Sequence, residues 1–344
     1  MKSYLDLVPQ YEKVHRKQSK MSRICIILAV FLVAVMFGLA DMYLQGITQK
    51  VMQENGDWHY QITSIDTKTS DLIAARPEVE VSGWHSTISA DAGYSISGQP
   101  IAISGLDEDV FGEIYLASLA EGKYPNAANE IAVSSVLKES NDLDLGSVID
   151  LTCPDGSTVS FSIVGFFDNP EKARLIVGSE QSVILAQEGF TTFISASNSP
   201  ASEKYIIQLS QHCDMSSTIE KIKSQYSLSD GQIEANMNLL NIEGQLAGKT
   251  GVNQIYSIAL ILSIIVMLTC ILMISSTLNS NVTQRTEFFG MLRCLGATKK
   301  QIMNFVRLEG LYWCKTAIPA GVALSIVVVW VTSAAMRKIS PQWF

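Results

Sequence analysis

Three runs of the chain carry no charged residue: between Arg23 and Asp41, between Lys249 and Arg285, and between Lys315 and Arg337. Their apolar cores read "ICIILAVFLVAVMFGLA", "IYSIALILSIIVMLTCILMISSTL" and "TAIPAGVALSIVVVWVTSAAM". No other feature constrains the fold as much. A helix needs about 20 mostly apolar residues to cross a bilayer, or about 17 at the short end. All three runs reach that length, the first only just. The remaining residues must then divide between the two sides of a membrane.

Charge sets the orientation. Of the 33 acidic residues, 29 lie between positions 41 and 251, against 11 Lys and Arg, so that region is net −18. Bases gather at Lys13, Arg16, Lys17, Lys20 and Arg23 before the first run, and at Arg285, Arg293, Lys299, Lys300, Arg307 and Lys315 between the second and third. Short loops rich in Lys and Arg stay cytoplasmic. The expected order is a cytoplasmic segment 1–23, a first span 24–40, an extracytoplasmic domain 41–251, a second span 252–278, a cytoplasmic loop 279–315, a third span 316–336 and a tail 337–344. Arg337 and Lys338 fit this alternation imperfectly. Basic clusters also suit nucleic acid, but both abut apolar runs, so the lipid bilayer is the partner they indicate. "GLA" before Asp41 resembles a small-residue cleavage site, which would make 1–40 a signal peptide. Against that, 23 residues precede the run, and the run exceeds the usual ~7–15 residue signal core.

Residues 41–251 read as a mixed α+β domain. In "WHYQI", Trp58, Tyr60 and Ile62 alternate as in a half-buried strand. "TSDLIAARPEV" reads as a helix stopped by Pro77. "YSISGQPIAIS" reads as two strands around a Gly98-Gln99-Pro100 turn. "SVIDLTCPDGSTVSFSIVGFF" is a hairpin turning at Pro154-Asp155-Gly156, with Val159, Phe161 and Ile163 on one face. "KYIIQLS" predicts a strand, and "SSTIEKIKSQY" a helix with Ile219, Ile222 and Tyr226 at helical spacing. Cys153 and Cys213 are the two cysteines expected outside; sequence alone leaves open whether they form a disulfide.

Chemistry-bearing motifs are scarce. His15, His59, His85 and His212 lie in no metalloprotease or triad motif. "GLDEDVFGE" carries Asp107, Glu108, Asp109 and Glu113, without the spacing of a calcium loop; a solvated acidic surface accounts for it better. "EGQLAGKTG" places Lys249 and Thr250 after Gly248 as a phosphate-binding loop does, but only three residues separate Gly244 from Gly248 where four are needed. Glu243 stands where the first glycine belongs. A polar junction ahead of a membrane helix explains the stretch better. No cofactor, metal or catalytic constellation is expected, and a secreted or anchored enzyme has no visible site.

The loop between the second and third spans is more specific. In "RTEFFGMLRCLGATKKQIMNFVRLEG", Phe288, Met291, Leu292 and Leu295 share one helical face. Gly296 suits a helix C-cap. Thr298 suits an N-cap, with Gln301 completing a capping box. Ile302, Phe305 and Val306 begin a second apolar stripe. The loop therefore reads as helix, sharp corner, helix. Either an interfacial amphipathic helix or a docking element for a cytoplasmic protein fits that geometry.

The phrase "QRTEFFGMLRCLGATKKQIMNFVRLEGL" resembles the signature of the FtsX/MacB-like family of ABC-transporter permeases. The matching residues are Arg285, Glu287, Gly290, Leu292, Arg293, Leu295, Gly296, Ala297, Thr298 and Glu309. "SGLDEDVF", "EGKYPNAANEIAVSSVL", "LGSVIDL" and "FSIVGFF" resemble the family's extracytoplasmic core domain. The resemblance implies a transport subunit without catalysis of its own. Its implied partners are a cytoplasmic ABC ATPase and a second permease, either another copy or a homologue. Closing of the ATPase on ATP would move the loop and, through the second span, the outer domain. Arg285, Glu287, Phe288, Met291, Leu292, Arg293, Gly296 and Thr298 are the residues this reading assigns to ATPase coupling. A fourth helix is part of the family plan and is not expected here before Phe344. A membrane-anchored sensor whose outer domain binds a ligand is the alternative, but the inner loop is short for an output domain.

Overall fold

The structure, a computed structural model, describes residues 16–197, 201–244, 251–284, 286–294 and 296–339. It divides into two units, residues 47–251 on the one hand and residues 1–46 with 252–344 on the other.

The first helix, α1 (Arg16–Asn55), carries the first apolar run and continues beyond Asp41 to Asn55. No proline interrupts it, and Gly56 ends it. Gly56 has φ of +85°, and its N–H donates to the Met52 carbonyl at 2.9 Å. Glycine supplies that left-handed conformation without a Cβ penalty.

The outer unit then runs β1 (Tyr60–Thr63), α2 (Thr67–Ala74), β2 (Val79–Ile88), β3 (Ser95–Ile96), β4 (Gln99–Pro100) and β5 (Ala102–Leu106). A π-helical turn at Val110–Ile114 leads to β6 (Glu121–Gly122), β7 (Glu130–Ser134), α3 (Ser135–Asn141), β8 (Val148–Thr152) and β9 (Thr158–Phe167). The remainder is α4 (Pro170–Val177), β10 (Ser182–Ala186), α5 (Gln187–Ser197), β11 (Ser202–Leu209), α6 (Met215–Tyr226), β12 (Ile233–Ala235) and α7 (Met237–Ile242). The strands make one mixed sheet in the order β12-β1-β11-β2-β5-β10-β7-β9-β8-β3-β4, with β6 paired to β9. Two neighbouring pairs are parallel, β5 with β10 and β7 with β9.

Three apolar cores hold this unit. One joins Phe161, Ile163, Phe166 and Val183 to Phe190 and Phe193 of α5. A second gathers Phe111, Tyr115, Phe167 and Ile176, and a third packs α2 and α6 on β1 and β11 through Ile73, Ile219, Ile222, Ile62 and Tyr205. Close packing decides one residue in β5. A Cβ on Gly105 would lie 2.2 Å from the Phe190 Cβ, so only glycine lets α5 seat there.

Several local expectations need correction. β1 is buried on both faces: Tyr60 and Ile62 pack in the third core, and on the other face Gln61 is buried with its Oε1 accepting from the Lys204 ammonium at 3.0 Å. The β3–β4 turn is Ser97-Gly98, with φ of +49° and +78°, and Gln99 and Pro100 already belong to β4. Positive φ at both central residues marks the tight hairpin turn that matches strand twist. The β8–β9 hairpin turns at 154–156 as read, but Val159 lies beyond the core and is exposed. Asp107 is not merely solvated: its Oδ2 accepts the Trp84 N–H at 2.8 Å, and burial raises its pKa. Cys153 is buried in the first core and Cys213 packs beside the third; both are free thiols, so no disulfide joins them.

After the outer unit come α8 (Gly251–Gln284), α9 (Thr286–Cys294) and α10 (Lys299–Ile339). Lys20–Asn55, Ile255–Ser276 and Lys299–Ile339 are long and apolar enough to cross a membrane. Along α10, Phe305, Glu309, Trp313, Ala317, Gly321 and Ser325 form a buried stripe at four-residue spacing. That stripe meets α1 at close range. A Cβ on Gly321 would lie 2.9 Å from the Ile27 carbonyl oxygen, and one on Gly38 would lie 2.8 Å from the Val329 Cγ2. Small residues let membrane helices approach this closely, which strengthens dispersion contact where no hydrophobic effect operates.

Candidate coupling site

The loop between α8 and α10 is built as its residues indicate. α9 ends at Cys294, and the Gly296 N–H donates to the Arg293 carbonyl at 3.0 Å. Gly296 has φ of +90° with nothing within 4 Å of its missing side chain, so backbone conformation alone selects glycine. The capping box is formed. The Gln301 N–H donates to Thr298 Oγ1 at 3.4 Å, and the Thr298 N–H donates to Gln301 Oε1 at 2.9 Å. These bonds satisfy donors that a helix start leaves open. α10 then runs unbroken from this cap through the third apolar run, with Pro319 inside it.

The eight proposed coupling residues fall on this element as follows. Met291 and Arg293 are exposed on α9, and Gly296 and Thr298 form the corner. Glu287, Phe288 and Leu292 lie in α9, and their side chains are outside the description. Arg285 lies outside the described residues, as do Leu295 and Lys249 with the rest of 245–250. In the second stripe Phe305 is buried while Ile302 and Val306 are half-buried. Glu309, a carboxylate on the same buried stripe, breaks the apolar pattern.

The outer unit holds polar groups that periodicity does not reveal. His59 is buried; its Nδ1 accepts the Leu209 N–H at 2.8 Å, so its Nε2 donates to Glu243 Oε2 at 2.9 Å. The Asn236 N–H donates to the His59 carbonyl at 2.9 Å. The segment after α1 and the segment around α7 are thereby tied together. Asp57, beside them, has its pKa raised, chiefly by burial. His85 spends both ring nitrogens: Nε2 donates to the Ile176 carbonyl at 2.9 Å and Nδ1 accepts the Tyr115 hydroxyl at 2.8 Å. Burial lowers its pKa to about 4. His85 and Tyr115 line a cavity of about 560 Å³ with Trp58, Lys204 and Glu234. The Lys204 ammonium is engaged there by Gln61 at 3.0 Å and Glu234 at 3.5 Å. Among the described residues, no cluster of three or more His, Cys, Asp or Glu could hold a metal ion.

Comparison with known proteins agrees with the loop and the outer domain. The model of the MacB-like periplasmic core domain matches residues 22–225, more than half of the chain. The model of the FtsX-like permease C-terminal region matches residues 260–344. No curated protein sequence matches the chain. Among solved structures, the periplasmic region of MacB from Actinobacillus actinomycetemcomitans is similar, at 8% identity and a TM-score of 0.39, covering 54% of this chain and 90% of that one. So is the extracellular domain of the noncanonic ABC-type transporter YknZ from Gram-positive bacteria, at 8% identity and a TM-score of 0.37, covering 52% of this chain and 98% of that one. The chain is a membrane protein whose mixed α+β extracytoplasmic domain is inserted between its first and second apolar helices, and it belongs to the FtsX/MacB-like family of ABC-transporter permeases.

Proposed function

We propose that the chain couples ATP hydrolysis by a cytoplasmic partner to conformational change in its outer domain. The observation that carries this reading is the capped corner between α9 and α10, from which α10 continues without a break into the third apolar run. A push on α9 is delivered to a rigid membrane helix rather than lost in a slack loop. Met291 and Arg293 both stand exposed on α9, one apolar and one basic. An amphipathic helix docks into a partner's groove by anchors at i and i+3, which Phe288 and Met291 would supply. Arg285 and Arg293 would meet acids at the groove's rim. Charge places residues 1–23 and this loop in the cytoplasm. The ATP site belongs to the partner, and no step of the chemistry is assigned to this chain.

Reconstitution with the cognate ATPase tests the reading. The wild-type chain should change the rate of ATP hydrolysis, and Gly296→Val should bind the ATPase yet lose that effect. Wild-type regulation by Gly296→Val would remove the corner from the coupling path.

A further inference from the structure

Lys172 sits in the first turn of α4 with 9% of its surface exposed. The helix does not need its side chain. Asn169 caps α4, accepting the N–H groups of Glu171 at 3.0 Å and Lys172 at 3.1 Å, and Pro170 fixes the first turn. The ammonium instead donates to two backbone carbonyls, Gln53 at 3.0 Å and Tyr115 at 2.6 Å. Burial lowers its pKa, with only a weaker opposing pull from Glu171. Burying a cation is costly, and an apolar side chain of similar length would fill the space without that cost. What the cation adds is direction.

Its two acceptors are informative. Gln53 lies in the last turn of α1, whose carbonyls have no partner within the helix and carry the negative end of its dipole. Tyr115 follows the π-helical turn and precedes Leu116, an exposed leucine held at φ of +50°. The Asp57 N–H donates to the Ile114 carbonyl at 2.6 Å, a second tie at the same place. The Tyr115 hydroxyl reaches His85, and His85 returns to the Ile176 carbonyl on α4. The end of α1, the π-turn and α4 thus form one closed ring of hydrogen bonds.

We infer that Lys172 is a positioning residue that locks the last turn of α1 to the outer domain, so that movement of the first membrane helix is passed to α4 and residues 110–116. This rests on the coupling function proposed above.

Amide hydrogen exchange on the full chain, reconstituted with its ATPase, tests it in two arms. Without nucleotide, Lys172→Met should speed exchange at Gly56 and Asp57 by about ten- to a hundredfold, the weight of a charge-assisted hydrogen bond, while β9 and β10 stay protected. Lys172→Arg, which keeps the cation, should stay within about threefold of wild type. With ATP and vanadate, the wild-type chain should change its exchange in residues 110–116 and 170–177. In Lys172→Met that change should vanish while the ATPase remains bound and active. An unchanged ATP response in Lys172→Met would overturn the lock, and so would equal loss of Gly56 and Asp57 protection in both variants. If the wild-type chain binds no ATPase, the coupling function has failed by itself, and the first arm alone decides whether the lock exists.

Discussion

At Gly296 the chain must turn between two helices with φ of +90° and no neighbour within 4 Å. A valine there would meet no clash, only backbone strain of roughly 1 kcal/mol or more. The variant should insert into membranes normally and lose regulation of the ATPase, checked by hydrolysis assays beside a copurification control. His85 makes a second prediction. In the unfolded chain its imidazole takes a proton near pH 6.5; folded, burial holds it at about 4. Between those values the unfolded state binds more protons, so stability is full above about 6.5 and falls as the pH drops toward 4. The loss is at most about 3 kcal/mol. Denaturant titrations of the full chain across that window should slope less for His85→Gln than for the wild type. Identical slopes would remove His85 as the cause.

Among the elements, the α1–α10 contact is the most sensitive to side-chain size. Gly321→Leu would drive carbon atoms into the Ile27 carbonyl and Val30. Overpacking of this kind costs typically ~1–3 kcal/mol. Thermal unfolding in detergent should shift downward for Gly321→Leu and much less for Gly310→Leu, where nothing lies within 4 Å. Sequence periodicity reached many of these elements. Ile219 and Ile222 of α6, Phe161 and Ile163 of β9, and the Thr298–Gln301 box all stand where spacing put them, because each is fixed by residues within one turn or one hairpin. β1 departs from a half-buried strand because the groups that cover its second face, such as Lys204 on Gln61, are distant in sequence. The polar ties were invisible for the same reason. Lys172 meets Gln53 across 119 positions and His59 meets Glu243 across 184. A lone lysine or glutamate reads as surface until its partner is known. Glu309 carried a signal, as the one acid in an otherwise apolar stripe, but spacing alone gave it no role.

For the whole molecule, the charge asymmetry predicts which side each unit faces. Cys153 is buried and Cys213 only partly exposed, so native outer cysteines are poor reporters. Val148→Cys, at a position 70% exposed, should react with an impermeant maleimide on intact cells, whereas Cys294, exposed on α9, should react only after permeabilisation. The reverse pattern would invert the orientation and put α9 out of reach of any cytoplasmic ATPase. The coupling function we propose depends on α9 holding a cytoplasmic ATPase. Losing a central aromatic anchor typically costs ~2 kcal/mol or more, about thirtyfold in affinity. The decisive measurement is a pull-down of the cognate ATPase from detergent extract by the wild-type chain, Phe288→Glu and Lys249→Ala. Retention by the wild type and by Lys249→Ala, with roughly thirtyfold loss in Phe288→Glu, is the predicted result. Retention by Phe288→Glu together with loss in Lys249→Ala would contradict it.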